Sequence, residues 1–280
     1  MAQSQTSQKT LNVAIAGLGV ASNQILPAMV GTPGVQLVAA ADLRQQARDA
    51  FQTQYGAPAY EDIEELCRDP NVDAIWISTP NQYHCPHAIL AAEHGKHIVI
   101  EKPMALNMDE AEKMVEAVER NDVQMLCGHT QSFNPDVQQI ARMIASGELG
   151  HLAAINIWSF TDWMLRARMP QEVDPSLGGG VVYRQGPHQV DTARLLGGGM
   201  VRSVRARAGE WMPERQCPGY YSAYLEFESG IPALITHNGY GYFVISEFFF
   251  PDHPGPANRH QARLQLRQGQ RDEAQLKEQS

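Results

Sequence analysis

LNVAIAGLGVAS, residues 11–22, decides the fold. Six residues of mostly apolar strand run into Gly17, and Gly19 and Ser22 follow at the spacing of a GxGxxG fingerprint whose third glycine is replaced. A short apolar run that stops at a glycine and gives way to helix is the opening of a strand–turn–helix unit with a buried parallel strand. Gly17 permits the tight turn, and Gly19 with Val20 brings bare backbone to a helix N-terminus, where free N–H groups attract a pyrophosphate.

Outward from this unit the rhythm repeats. VQLVAAA (35–41) is a second apolar run closed by Asp42, VDAIWIS (72–78) a third, KHIVIE (96–101) a fourth and VQMLCG (123–128) a fifth. Helical stretches are predicted between them at 21–30, 45–54, 61–67 and 83–94. Another is predicted at 108–120, where Asn107 and Glu110 form a capping box. Strand alternating with helix predicts a doubly wound parallel sheet over residues 1–130. A helix is expected at 135–146. The aromatic and β-branched runs HLAAINIWSF, VRSVRARAGEW, YYSAYLEFE and PALITHNGYGYF then predict an α+β domain over 131–250, with a mostly antiparallel open sheet and a helix near 186–197. Residues 251–280 read as a polar tail, loosely helical or disordered. That ending gives the second domain the look of one cut short.

Hydrophobic residues at 43% against 19% charged mark a globular chain. A net charge of -9 argues against nucleic-acid binding, and no run approaches the ~18 apolar residues of a membrane helix. The polar start MAQSQTSQKT carries no secretory signal, and four scattered cysteines without a CxxC pair suit a reducing cytoplasm. Residues 1–150 hold 9 Lys and Arg against 18 Asp and Glu, while 151–280 balance at 13 each. Arginines crowd the second half, and a planar guanidinium suits carboxylates.

The candidate site begins with the nucleotide. Asp42 lies where a carboxylate accepts the ribose hydroxyls of NAD and repels the 2′-phosphate of NADP, so NAD is expected over NADP, with Arg44 leaving room for the latter. Thr79-Pro80-Asn81 and Glu101-Lys102-Pro103 end neighbouring strands and should line one crevice, with Lys102 held extended by the proline that follows it. His84, Cys85 and His87 are close in sequence, but a helix turns them apart, so no metal is expected. His129 follows the fifth strand and either faces the crevice or caps the strand. Cys127 reads as an inert core thiol, and the Phe248, Phe249, Phe250 cluster as core or an oligomer face.

AGLG, STPNQYH, GKHIVIEKPMAL and GGGVVYRQGPHQVD, in that order, resemble the Gfo/Idh/MocA family of nicotinamide-dependent oxidoreductases over residues 11–245. The resemblance implies a Rossmann domain followed by an α/β domain whose sheet supports homo-oligomers. It implies Lys102 as the catalytic lysine, His188 as the active-site histidine, and Asn81 and His84 near the nicotinamide ribose or the substrate. Many members carry an aspartate four residues before that histidine, where this chain has Arg184. FTDWMLRARMP and the stretch around His188 resemble the branch of the family that oxidises carboxylated cis-dihydrodiols. A small anionic substrate is therefore expected, held by Arg184 with Arg166 or Arg168. The alternatives are a sugar or inositol dehydrogenase of the same family, or an inactive dinucleotide-binding fragment or regulator.

Overall fold

The computed structural model describes residues 10–245, 247, 259–269 and 272–278. The chain divides into two compact units, Met1–Gly128 and His129–Ser280.

In the first unit the elements run β1 (Leu11–Ala16), α1 (Val20–Gly31), β2 (Val35–Ala41), α2 (Gln45–Tyr55), β3 (Ala59–Tyr60), α3 (Ile63–Arg68), β4 (Ala74–Ile77), α4 (His84–Glu93), β5 (His97–Ile100), α5 (Met108–Arg120) and β6 (Met125–Cys127). The strands form one sheet in the order β3-β2-β1-β4-β5-β6. Every pairing is parallel. Both faces are covered, which is why the strands read as unbroken apolar runs. Ala14, Ala16, Ile75 and Ile77 pack with Ala88 of α4 and Met114 of α5. Val13 and Ile15 face the other way, onto Leu26 and Met29 of α1 and Phe51 of α2. The expected cap of α5 is present, Asn107 Oδ1 accepting from Glu110 N at 2.9 Å, and the Glu110 carboxylate reaches back to Leu106 N at 3.0 Å. Chain order reverses between β1 and β4, the switch point at which such sheets open a crevice beyond their strand tips.

The second unit holds α6 (Pro135–Ser146), β7 (Ile155–Phe160), α7 (Pro170–Val173), α8 (Val181–Gly197), β8 (Val201–Gly209), β9 (Tyr220–Phe227) and β10 (Pro232–Asn238), then α9 (Arg259–Arg267) and α10 (Glu273–Glu278). Its four-stranded sheet has the order β7-β10-β9-β8, antiparallel except for the β7–β10 pair. One face packs on α8 through Tyr221, Ala223, Leu225, Phe227 and Ile235. The helix expected near 186–197 starts five residues earlier, at Val181. Gly180, at φ +85, turns the chain in, and Val181 N donates to Pro218 O at 2.8 Å, so Gly186 and Pro187 fall inside the helix instead of opening it. The polar tail is partly helical and tied down: Arg263 donates to Tyr240 O at 2.6 Å, and Glu273 pairs with Arg215 at 2.7 Å. The three phenylalanines at 248–250 lie outside the described residues. No helix of the described residues is long and apolar enough to cross a membrane.

Candidate active site

Backbone hydrogen bonds align the strand tips of the first unit. Gly17 N donates to Ala41 O at 2.8 Å, Ser78 N to Ala16 O at 2.7 Å and Glu101 N to Ile77 O at 3.0 Å. Gly17, Asp42, Ser78–Thr79 and Glu101–Lys102 therefore end side by side. Gly17 sits at φ +93, and a Cβ there would lie 2.7 Å from Ser78 O, so only glycine fits. A Cβ on Gly19 would meet nothing within 4 Å, which leaves open space over the start of α1. That N-terminus has no side-chain cap and no acidic residue in its first turn, and Val20 is exposed there. Ser22 in the third glycine position is fully buried and turns its hydroxyl back onto Gly19 O at 2.6 Å. An open, uncapped helix start with a glycine cradle fits a dinucleotide pyrophosphate.

Asp42 is engaged more fully than its sequence position suggests. Its carboxylate accepts from Leu18 N at 2.8 Å, from Arg44 N at 2.9 Å, and from Arg44 Nε and Nη2 at 2.9 Å each. Burial pushes the carboxyl up, but the Arg44 side chain, the two backbone N–H donors and the guanidinium charge together outweigh it and hold it below the usual range. Arg44 also donates to Leu18 O at 2.8 Å, so it lies against the very turn the cofactor would approach.

Around the tips of β4 and β5, Thr79 Oγ1 shares a hydrogen bond with His87 Nδ1 at 3.0 Å, and Pro80 O accepts from Tyr83 N at 2.9 Å. Asn81 is buried in the 3₁₀ turn that precedes α4. The Glu101 carboxylate accepts from Trp76 Nε1 at 3.3 Å. Lys102 is half-buried and joined to Pro103 by a cis peptide bond. His84 is 1% exposed and bridges two tips, its Nε2 at 2.8 Å from Thr79 O and its Nδ1 at 2.8 Å from Pro103 O. Cys85 Sγ points elsewhere, to Glu110 O at 3.6 Å, so these neighbours share no common ligand point. Among the described residues no group of three metal-ligating side chains converges.

In the second unit, Arg184 and His188 are one turn apart on α8 and thus on one face, with Asp191 continuing it at the next turn. Asp191 Oδ2 is buried without a hydrogen-bond partner among the described residues. The sequence reading passed over Asp191, although the HxxD spacing on a helix was the available signal. It also missed Glu172. This buried carboxylate meets Arg168 and Arg184 at 3.3 Å and Lys277 at 3.2 Å, and accepts from Met169 N at 2.9 Å. Burial pushes its carboxyl up, and the Met169 N–H with the three cations more than reverses that, holding it below the usual carboxylate range.

The arginines expected at the substrate divide. Arg168, with its side chain 10% exposed, donates to Trp163 O, lies 4.0 Å over the Trp163 ring and pairs with Glu172, which makes it a strut of its own unit. Burial brings it down to about 10, still charged at neutral pH. Arg166 is 59% exposed and anchored to the buried Asp162 at 2.7 Å. Arg184 is intermediate, committing one nitrogen to Glu172. His129 opens the second unit, its carbonyl accepting from Ser132 Oγ at 2.8 Å.

Comparison with known proteins agrees with this division. Residues 11–129 match the model of an oxidoreductase family with an NAD-binding Rossmann fold, and residues 137–241 match the GFO/IDH/MocA C-terminal domain. A 1-carboxy-3-chloro-3,4-dihydroxycyclohexa-1,5-diene dehydrogenase of Comamonas testosteroni is 36% identical over 85% of this chain and 60% of its own length. A scyllo-inositol 2-dehydrogenase (NAD(+)) of Bacillus subtilis is 30% identical over 72% of this chain and 59% of its own. The chain thus spans about three-fifths of these relatives. The crystal structure of a putative dehydrogenase from Bordetella bronchiseptica is 36% identical, with a TM-score of 0.88 over 95% of this chain and 71% of that one.

Proposed function

Because the chain belongs to the Gfo/Idh/MocA oxidoreductases and carries their NAD-binding Rossmann fold, we propose that it is an NAD-dependent dehydrogenase of a carboxylated cis-dihydrodiol. Phthalate 4,5-cis-dihydrodiol, oxidised to 4,5-dihydroxyphthalate, is the substrate we put first. The observation that carries this reading is Arg184, a cation one helical turn before His188 where an acid is common in the family. The Comamonas relative, whose named substrate is a carboxylated cyclohexadiene diol, supports it.

Bound NAD supplies the hydride acceptor. Gly17, Gly19 and Val20 would hold its pyrophosphate, and Asp42 would take the ribose hydroxyls with Arg44 turned aside. Thr79, Pro80, Asn81 and Glu101 line the remaining strand tips. Lys102 Nζ takes the proton of the substrate hydroxyl as the C–H bond of the same carbon breaks. A lysine at its ordinary value of about 10.4 is a poor base at pH 7, so nearby positive charge is needed to bring it into range. His188 orients the hydroxyl, and Arg184 binds a carboxylate. The ketone formed tautomerises to a catechol, and aromatisation draws the oxidation forward.

Two variants test this by NADH absorbance. Lys102→Met should bind NAD normally and lose roughly 100-fold in turnover, the ordinary weight of a general base. Arg184→Ala should raise the Michaelis constant for the carboxylated diol about 10- to 100-fold, as for a lost charge-assisted contact, with NAD affinity unchanged. Equal turnover of the diol lacking its carboxylates would remove the anionic substrate, and preference for a neutral polyol would favour an inositol-type activity, known among the relatives.

A further inference from the structure

We propose that His84 works as a permanently doubly protonated imidazolium that clamps the β4 tip to the Lys102–Pro103 loop, and so positions Lys102. The inference deepens the proposed dehydrogenase reading and rests on it for the role of Lys102.

The geometry is specific. Both ring nitrogens of His84 lie 2.8 Å from backbone carbonyl oxygens, those of Thr79 and Pro103. A carbonyl only accepts, whereas a neutral imidazole has one N–H and one lone pair. In a neutral ring one nitrogen would face a carbonyl oxygen lone pair to lone pair, in a site only 1% exposed, where no water relieves the clash. Two charge-assisted hydrogen bonds offset the cost of burying the cation.

The neighbouring histidine shows the opposite design. His87, one turn along α4, meets the Thr79 hydroxyl at 3.0 Å, a group that both donates and accepts, so a neutral ring satisfies it. Burial, and the positive His84 beside it, push His87 down to about 4. The ionisable groups of the packed elements include Glu101 and Lys102 beside Pro103, and Lys113 and Glu110 of α5, the Glu110 carboxylate being spent on Leu106 N and Asn107 Nδ2. Asp62 and Glu64 before and within α3 line a groove with His87 and Glu93 on the outer side of α4. Ser78 to Asn81 contribute no ionisable side chain.

Two consequences follow for catalysis. The clamp fixes the carbonyl of the residue after Lys102 against the tip that carries Thr79 and Asn81, so the lysine loop is set before substrate arrives. The fixed charge also disfavours a second cation nearby and helps Lys102 to be neutral when it acts as a base.

The test is heteronuclear NMR of the histidine side chains of the intact chain at about pH 8, where exposed imidazoles are neutral. One ring with both nitrogens protonated is expected, and its signal should be missing in His84→Gln. If every histidine shows a bare ring nitrogen at that pH, the proposal is wrong, and this reading needs no variant. In steady state, His84→Gln should lose on the order of tenfold in kcat, with the NAD dissociation constant within about twofold. The ascending limb of its pH–kcat profile should move up by about one unit, because Lys102 then keeps its proton longer. An unchanged kcat and limb in a folded His84→Gln would overturn the clamp. Should Lys102→Met keep normal turnover, the base assignment falls while the NMR result still decides the charge on His84.

Discussion

At the residue scale, Asp42 and Arg44 turn a familiar motif into a choice. An acidic residue at the end of β2 is legible from sequence, and it points to NAD. What sequence does not reveal is that Arg44 grips both carboxylate oxygens and the Leu18 carbonyl, since that depends on the turn between β1 and α1. If Asp42 is to hold the ribose of NAD, Arg44 has to be displaced, whereas a 2′-phosphate would find that guanidinium waiting once the carboxylate is gone. Asp42→Ala should therefore weaken NAD and tighten NADP by about tenfold each, the weight of one charge-assisted contact. Titration with both cofactors checks it, and loss of affinity for both alike would refute the exchange.

A second residue, His237, sets part of the acid sensitivity. It is 1% exposed on β10, stacked parallel to Tyr221 at 5.9 Å, and its Nδ1 has no hydrogen-bond partner among the described residues. Burial pushes it down to about 4. The folded state thus binds the proton more weakly than the unfolded chain, whose histidines titrate near 6.5. The stability this contributes is complete above about 6.5 and is lost as the pH falls toward 4, up to roughly 3 kcal/mol. His237→Phe keeps the ring stack and removes the titration. Its thermal midpoint should fall less between pH 7 and 4.5 than that of the parent, as followed by circular dichroism; parallel curves would exclude His237 as the source.

At the scale of elements, the Rossmann half was readable because its central strands β1 and β4 are buried between two helical layers and read as continuous apolar runs, so a local pattern reports the packing. α8 was not fully readable. Gly186 and Pro187 carry the signature of a helix start, yet tertiary contacts of Gly179 and Gly180 with Asp174 and Pro218 begin the helix at Val181. That shift matters, because it brings Arg184 into the helix and onto the same face as His188, instead of leaving it on a loop before it. Glu172 was beyond reach for another reason: its partners Arg184 and Lys277 lie 12 and 105 residues away. Replacing it by Gln should strand Arg168, whose side chain is 10% exposed, against Arg184 and Lys277. Breaking a buried pair of this kind costs about 3 kcal/mol. Chemical denaturation should show that loss in Glu172→Gln, with little change in NAD affinity; a shift below about 0.5 kcal/mol would make the network a surface feature.

At the scale of the whole molecule, we propose that the exposed face of the second sheet pairs two copies of the chain. Leu234 and Tyr224 are paired across β10 and β9, and Arg205 continues their row on β8. Trp158 heads the next row through Thr236 and Ser222 to Arg207. Trp158 is 64%, Tyr224 45% and Leu234 40% exposed, an apolar stripe on the side away from α8, bordered by arginines. Four strands about 4.8 Å apart and some 25 Å long offer about 500 Å² per partner, or about 1,000 Å² in a face-to-face pair. That is the lower edge of a specific interface, so pairing of two identical faces should be concentration-dependent and moderate in strength. Light scattering behind size-exclusion chromatography should show a monomer–dimer equilibrium in the micromolar range. Trp158→Lys should place two like charges at the symmetric contact and hold the protein monomeric, without lowering its thermal midpoint at dilution. A parent that is monomeric at every concentration, or a variant that dimerises as before, would assign the stripe some other use than self-pairing.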